Sequence, residues 1–462
     1  MKLDKKHIEH LQSIVGAENI YSDKAHLIAY SYDATRTRFE PDAVLFPRHE
    51  EDVSAILEYC NRYRIVIVPR GAGSGFTGGA LPSSGGIVLG FEKHMNKILE
   101  IDMKNMVAIV QPGVVNMDLQ RAVEEVGLFY PPDPASQDYS TIGGNVSENA
   151  GGMRAAKYGI TKDYVMATRA VLPNGDVIKA GKRTIKDVAG YNISGILIAS
   201  EGTLAVLTEI TLRLIPKPKM TKTAVGIFPT VNDAMEAVYK TMASGITPVA
   251  MEFLDNLTIR AVEQTFKKGL PVDAGALLVT DVDGNLEDDL NFQLAQIEKV
   301  FKENGCSEFK IAKDDAEAKD IWFARRNASP ALSVYGSKKL NEDVTVPRAV
   351  LPELLEKFYA IADKYKINIP CFGHTGDGNV HTNVMVDGSD PEQVKIAYQA
   401  IEEVFQATVD LGGTLSGEHG IGLAKAPYMS MAFSEEEMNL FKSIKMAFDP
   451  NNILNPSKMG LN

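Results

Sequence analysis

Cysteine is scarce in this 462-residue sequence: Cys60, Cys306 and Cys371 lie far apart, and no CxxC pair occurs. That argues against an iron–sulfur cluster or a zinc ribbon held by this chain alone, and it fits a reducing compartment. A surplus of positive charge is missing too. Lys and Arg number 48 against 60 Asp and Glu, a net charge of −12. A general nucleic-acid binder needs a basic face to neutralise phosphates, so no nucleic-acid partner is expected. Nowhere do about 18 apolar residues follow one another, so no membrane span is expected. The opening residues, MKLDKKHIEHLQSIVG, read as an amphipathic helix with Ile8, Leu11, Ile14 and Val15 on one side, without the apolar core and cleavage site of a signal peptide. The expected location is the cytoplasm, with peripheral attachment to the inner face of the membrane left open. There is no internal repeat.

What is present falls into two textures. The length calls for two or three domains. Over 43–215, short β-branched strands such as IVIVP (65–69), GIVLGF (86–91) and VAIVQPG (107–113) alternate with glycine-rich loops. EEDVSAILEYCNRY (50–63) and NMDLQRAVEEVG (116–127) have helical spacing, and LPNGDVI (172–178) carries an Asn-Gly hairpin turn. Pro216 and Pro218 mark a break. From about 222, KTAVGIF, AMEFL, GALLVTDVDG and NEDVTVP read as strands separated by helices, an α+β pattern with a sheet covered by helices. The expected division is 1–219, 220–420 and a C-terminal helical segment, 421–462, that returns to the first domain.

In PRGAGSGFTGGALP (69–82), Gly73, Gly75 and Gly78 match GxGxxG. A dinucleotide fingerprint requires a helix to open at such a loop. Here Pro82, Gly85 and Gly86 forbid one, so the match is a decoy. The loop can still bind phosphate, because successive backbone N–H groups in a glycine-rich turn form an anion-binding nest. A second stretch, PPDPASQDYSTIGGNVSENAGG (131–152), reads as a long structureless loop, and such loops inside compact domains are usually functional. Two phosphate-loop candidates in one domain imply one long ligand, such as a dinucleotide, lying between them.

GHTGDGNVH (373–381) places two of the eight histidines across a tight bend. Fully extended, His374 and His381 would lie roughly 23 Å apart; the bend at 375–379 reverses the chain and lets them approach. NVHTNVMVD reads as a strand with His381 and Asn383 on one face. SGEHGIG (416–422) adds Glu418 and His419. His374, His381 and Glu418 form a His₂-carboxylate set that leaves coordination positions open on a divalent ion, as a catalytic site does. In the alternative, the same residues hydrogen-bond a substrate carboxylate without metal.

Together, the loop 69–82, the segment 131–152, KYGIT (157–161), SEGTLAVLTEITL (200–212), GHTGDGNVH and SGEHGIG resemble the vanillyl-alcohol-oxidase, or PCMH-type, FAD fold. The resemblance covers nearly the whole chain and is to its FAD-linked D-2-hydroxyacid dehydrogenase group, which includes D-lactate dehydrogenases, the FAD subunit of glycolate oxidase and D-2-hydroxyglutarate dehydrogenase. It implies a PCMH-type FAD domain followed by a ferredoxin-like α+β substrate domain. Pro69, Arg70, Gly71, Ala72, Gly73, Ser74, Gly75, Thr77 and Gly78 would hold FAD. So would Pro132, Ser136, Gly143, Gly144, Asn145, Asn149, Gly151 and Gly152. Tyr158, Gly159 and Asn455 join them, with Glu201, Gly202 and Thr203 beside the flavin. No histidine stands between 69 and 82, so the FAD is expected to be non-covalent. The resemblance further implies a divalent metal, zinc or manganese, on His374, His381 and Glu418, and a general base at His419. Arg325 would take the substrate carboxylate, with Ser329 where relatives carry threonine, and Asn383 nearby. The matching lysine, Lys339, is displaced by about two residues, a departure that favours a small acid over a dicarboxylate. Tyr191 is read as equally a structural residue or one near the flavin, and Trp322 as helix packing.

The expected reaction is oxidation of D-lactate or glycolate. Electrons would pass to an external quinone, cytochrome, iron–sulfur subunit or electron-transfer flavoprotein; a homodimer is left open. A metal-dependent hydrolase and a catalytically silent flavin relay subunit are the competing classes. A non-redox ether-lipid relative ranks last, because it lacks the two histidine motifs.

Overall fold

The computed structural model describes residues 3–461. They form two compact units: 1–151, 160–217 and 418–462 make one, and 152–159 with 218–417 make the other. The closing segment counts with the first unit. The short segment 152–159 counts with the second unit, and the closing segment starts at 418 instead of 421. Among the described residues no helix is long and apolar enough to cross a membrane.

The first unit holds two main sheets. In the smaller, Ala43–Leu45, Ile87–Gly90 and Ile67–Arg70 run parallel, and Ile20–Tyr21 pairs antiparallel with the Ala43 edge. The helix Glu50–Tyr63 buries Val53, Ile56, Leu57 and Cys60, spaced i, i+3, i+4, i+7, in one core with Leu45, Ile67, Ile87 and Leu89. The N-terminal helix Lys5–Val15 adds Leu11 and Val15 to that core, and the Asp4 carboxylate caps it by accepting from the His7 N–H. The larger sheet is antiparallel, in the order Ile98–Asp102, Val107–Val110, Val206–Arg213, Val165–Val171, Val177–Gly181. The turn at 172–176 joins its last two strands through Gly175, at φ 89°.

The C-terminal segment is tied in by a buried ion pair. The helix Glu435–Phe448 starts with a capping box of Ser434 and Glu437. Near its end, Lys445 Nζ donates to Asp449 Oδ2 (2.6 Å), Thr203 O (2.7 Å) and Leu454 O (2.8 Å). Both side chains are almost fully buried. Removing one partner of a buried pair strands the other, at a cost of about 3–5 kcal/mol. Asp449→Ala should lower the thermal midpoint markedly, as read by circular dichroism; an unchanged midpoint contradicts this account.

The second unit is built on a seven-stranded antiparallel sheet. Its order is Glu308–Ile311, Met220–Phe228, Ala276–Gly284, Ala250–Asp255, Cys371–His374, Asn379–Val386, Lys338–Thr345. Register decides which side chains share a face. Glu252 pairs with His374, Phe372 with His381, Asp343 with His381, and Asn341 with Asn383. Cross-strand partners project to the same side, as do residues two apart along a strand. One face thus carries Glu252, His374, His381, Asn383, Asp343 and Lys339. The helices Asn256–Phe266 and Asp315–Arg326 pack on this face around Phe372 and Met385. Glu287–Glu303 lies on the other, with Phe301 against Gly226. Trp322 packs with Ala250 and Val279 and donates from Nε1 to Asp281 (3.0 Å), a helix-packing role as expected.

Candidate active site

In the first unit, the loop after Ile67–Arg70 opens no helix, and a strand restarts at Ile87. Gly73 and Gly78 adopt φ of 68° and 83°, which a side chain would resist. The two glycine-rich stretches touch: a Cβ on Gly71 would fall 2.3 Å from Thr141 Oγ1. The second stretch is not structureless. A helix, Ile142–Glu148, forms within it, capped by Thr141. Its two adjacent glycines argue against a helix, at about 1 kcal/mol each. Gly143 is required by packing: a Cβ there would fall 2.6 Å from Pro112 Cβ.

One cavity gathers both stretches. Gly71, Ala72, Gly73, Ser74, Gly75 and Phe76 line it from one side, and Ser136, Gly144, Asn145 and Gly151 from another. Glu418 and His419 complete the wall. An adjoining hollow shares Gly71, Thr141, Gly144 and Glu148 with it and adds Pro69, Arg70, Gly143, Glu201 and Gly202.

The turn bearing His419 is fixed by these same motifs. Thr77 Oγ1 donates to His419 O (3.1 Å), and Thr77 O accepts from the Leu423 and Ala424 N–H groups. The Phe76 and His419 rings lie 5.1 Å apart. Buried Glu201, at a left-handed φ of 50°, accepts from Ile421 N–H (2.7 Å) and Gly422 N–H (2.8 Å). Burial pushes its carboxyl upward, opposed by those two N–H groups and by Lys458 and Lys425.

Other expected cofactor residues hold backbone. Asn455 Nδ2 donates to Gly79 O and Glu201 O (2.7 Å each). Pro132 O accepts from Gln120 Nε2 (2.9 Å), Asn149 Oδ1 from Lys162 N–H (2.9 Å), and Thr203 Oγ1 donates to Ser200 O (2.7 Å). Gly152, Tyr158 and Gly159 fall in the second unit, where Tyr158 Oη donates to Asp283 Oδ2 (2.7 Å). Tyr191 is 92% exposed, which removes the packing role expected as one of its two readings.

In the second unit the bend does bring the histidines together. His374 Nε2 and His381 Nε2 face each other at 3.3 Å, both rings buried. His374 Nδ1 meets Glu252 Oε1 at 2.7 Å. Arg325 Nε donates to the other oxygen of Glu252 (2.5 Å), and its guanidinium lies 4.8 Å over the Phe372 ring. Lys339 Nζ donates to Ser329 Oγ (2.5 Å), so these two expected substrate residues meet despite the displaced lysine. Asn383 Nδ2 donates to Pro370 O and His381 O, and its Oδ1 accepts from Asn341 Nδ2 (2.7 Å). Asp343, cross-strand from His381, accepts from Ser416 Oγ (3.1 Å) and Gly417 N–H (2.9 Å). Glu418 is the next residue along the chain.

Residues 217–459 match the family described as FAD linked oxidases, C-terminal domain, and residues 41–181 match an FAD binding domain. The chain belongs to the FAD-linked oxidases. It is 44% identical to glycolate oxidase subunit GlcD of Bacillus subtilis, over 98% of this chain and 96% of that protein. It is 36% identical to GlcD of Escherichia coli K12 (97% and 89%) and to D-lactate dehydrogenase of Anaerostipes hadrus (91% and 89%). Among solved structures it resembles p-cresol methylhydroxylase with substrate bound, at a TM-score of 0.82 and 18% identity over 99% of this chain and 96% of that one. It also resembles alkyldihydroxyacetonephosphate synthase, at 0.77 and 20% over 98% and 86%. These likenesses show the PCMH-type fold.

Two acids of this FAD-linked oxidase went unread in the sequence, Glu252 and Asp343. Their only local signal is an acid amid apolar strand residues, in AMEFL and NEDVTVP. A buried charge at such a position needs a partner, and nothing nearby in the sequence says which.

Proposed function

We propose that this FAD-linked oxidase oxidises a D-2-hydroxyacid, D-lactate or glycolate, to the 2-oxoacid with FAD and a divalent cation. One observation carries the reading: a single cavity in the first unit is walled by both glycine-rich stretches and by His419. The names of the relatives support the substrate class.

The residues fit both groups. Close-packed glycines and backbone amides suit a pyrophosphate, and no histidine in 69–82 offers a covalent link. Two buried imidazole nitrogens facing each other at 3.3 Å suit a shared cation. Asp343, cross-strand from His381, accepts from the Gly417 N–H, and Glu418 follows next in the chain, which supports its choice as the carboxylate of the set. Bound FAD would supply the acceptor for the Cα hydride, and a zinc or manganese ion held by these residues would supply Lewis acidity that eases loss of the hydroxyl proton.

The chain's own residues do the rest. His419 receives the hydroxyl proton on a ring nitrogen, a task suited to an imidazole near neutral pH. Arg325 offers its Nη edge to the substrate carboxylate, since Glu252 occupies Nε. Ser329 and Lys339 bound the far end. Their pairing also favours a second reading, a dicarboxylic 2-hydroxyacid whose distal carboxylate binds there. Electrons then leave to an external acceptor.

The test is anaerobic bleaching of the flavin by D- and L-2-hydroxyacids, including D-2-hydroxyglutarate. D-lactate or glycolate should bleach it, and L-lactate should not. Faster bleaching by D-2-hydroxyglutarate selects the second reading. A colourless purified protein, or a yellow one that no hydroxyacid bleaches, sinks the proposal.

A further inference from the structure

Glu252 lies in the middle of the strand Ala250–Asp255, and its side chain is fully buried. A buried carboxylate costs several kcal/mol unless both oxygens find partners. Here each oxygen has one. Oε1 takes His374 Nδ1, and Oε2 takes Arg325 Nε. We propose that Glu252 is a positioning residue shared by the cation and by the substrate carboxylate. The proposal rests on the reading that His374, His381 and Glu418 hold a divalent cation.

The carboxylate acts differently on each neighbour. By accepting from His374 Nδ1–H it sets the tautomer, so that Nε2 presents a lone pair towards His381. By accepting from Arg325 Nε–H it fixes the rotation of a guanidinium already lying on Phe372, and turns the Nη edge outward. One rigid group therefore sets the spacing between a metal-binding nitrogen and the anion-binding fork. Cross-strand pairing of Glu252 with His374 supplies the rigidity, because neither can shift without breaking the sheet ladder.

The test uses the FAD-loaded full chain as wild type, Glu252→Gln and Arg325→Met. Glutamine keeps the shape but has one acceptor oxygen and an NH₂ group, which must confront either His374 Nδ1–H or Arg325 Nε–H. Zinc affinity is measured by competition with a chelating dye. KM and kcat for D-lactate are measured at saturating zinc with an artificial electron acceptor. E252Q should bind zinc about 10–100-fold more weakly, the range found when a partner of a metal-ligating histidine is lost. Its KM should rise about tenfold, and kcat should move less. Arg325→Met should raise KM but, because His374 keeps its carboxylate partner, weaken zinc binding much less than E252Q does, a split that general loosening would not produce. If E252Q does not fold, Glu252→Asp, one methylene too short to reach both partners, is read the same way. A folded, yellow E252Q with wild-type zinc affinity or wild-type KM overturns the role of Glu252 alone. A wild-type chain that binds neither zinc nor manganese overturns the cation reading beneath it.

Discussion

His419→Ala is expected to abolish bleaching of the flavin by substrate while the purified protein stays yellow. The proton of the substrate hydroxyl needs an acceptor as hydride leaves Cα, and positioned bases contribute about 10²–10⁴-fold. A loss of that size is expected in the anaerobic reduction rate. Flavin retention should survive because what holds the turn is backbone. Thr77 bonds to the carbonyl of residue 419, and Glu201 to the N–H groups of 421 and 422. Truncating the imidazole leaves all three. Reduction of the variant at the normal rate would remove His419 as the base, while loss of colour would make its role structural.

On the proposed reading, His381→Ala and exhaustive chelation of the wild type should each slow flavin reduction by about a thousandfold. Lewis-acid stabilisation supplies several kcal/mol, and each 1.36 kcal/mol is tenfold in rate. Zinc or manganese should restore the chelated wild type and not the variant, an outcome that separates loss of the ion from loss of its ligand. His381 is the better position to change: its ring stands beside His374 and Phe372, whereas His374 is bonded in addition to Glu252, whose other oxygen holds Arg325. A chelated protein shown by elemental analysis to be metal-free, yet reduced at full rate, would favour hydrogen bonding of the substrate by these imidazoles instead.

Much of the machinery was legible locally. The loop 69–82 could be told from a dinucleotide fingerprint because Pro82 and two glycines forbid a helix within a few residues. The approach of His374 to His381 followed from the turn formers between them. The helix 142–148 was not legible, because the need for glycine at 143 comes from Pro112, some thirty residues earlier. Tyr191 shows the converse: its exposure depends on what fails to pack on it.

The sequence by itself determined the class of chemistry. Composition argued against clusters and nucleic acid, turn residues set the loops, and short-range spacing brought the two histidines to one bend. Only the tertiary structure decided the partners. Glu252 reaches His374 across 122 residues and Arg325 across 73, and Glu201 holds a turn 220 residues away. Strand register selects such pairs. Register is the combined outcome of burying one whole face of a sheet, and a slip of one residue would reverse every side chain on the strand.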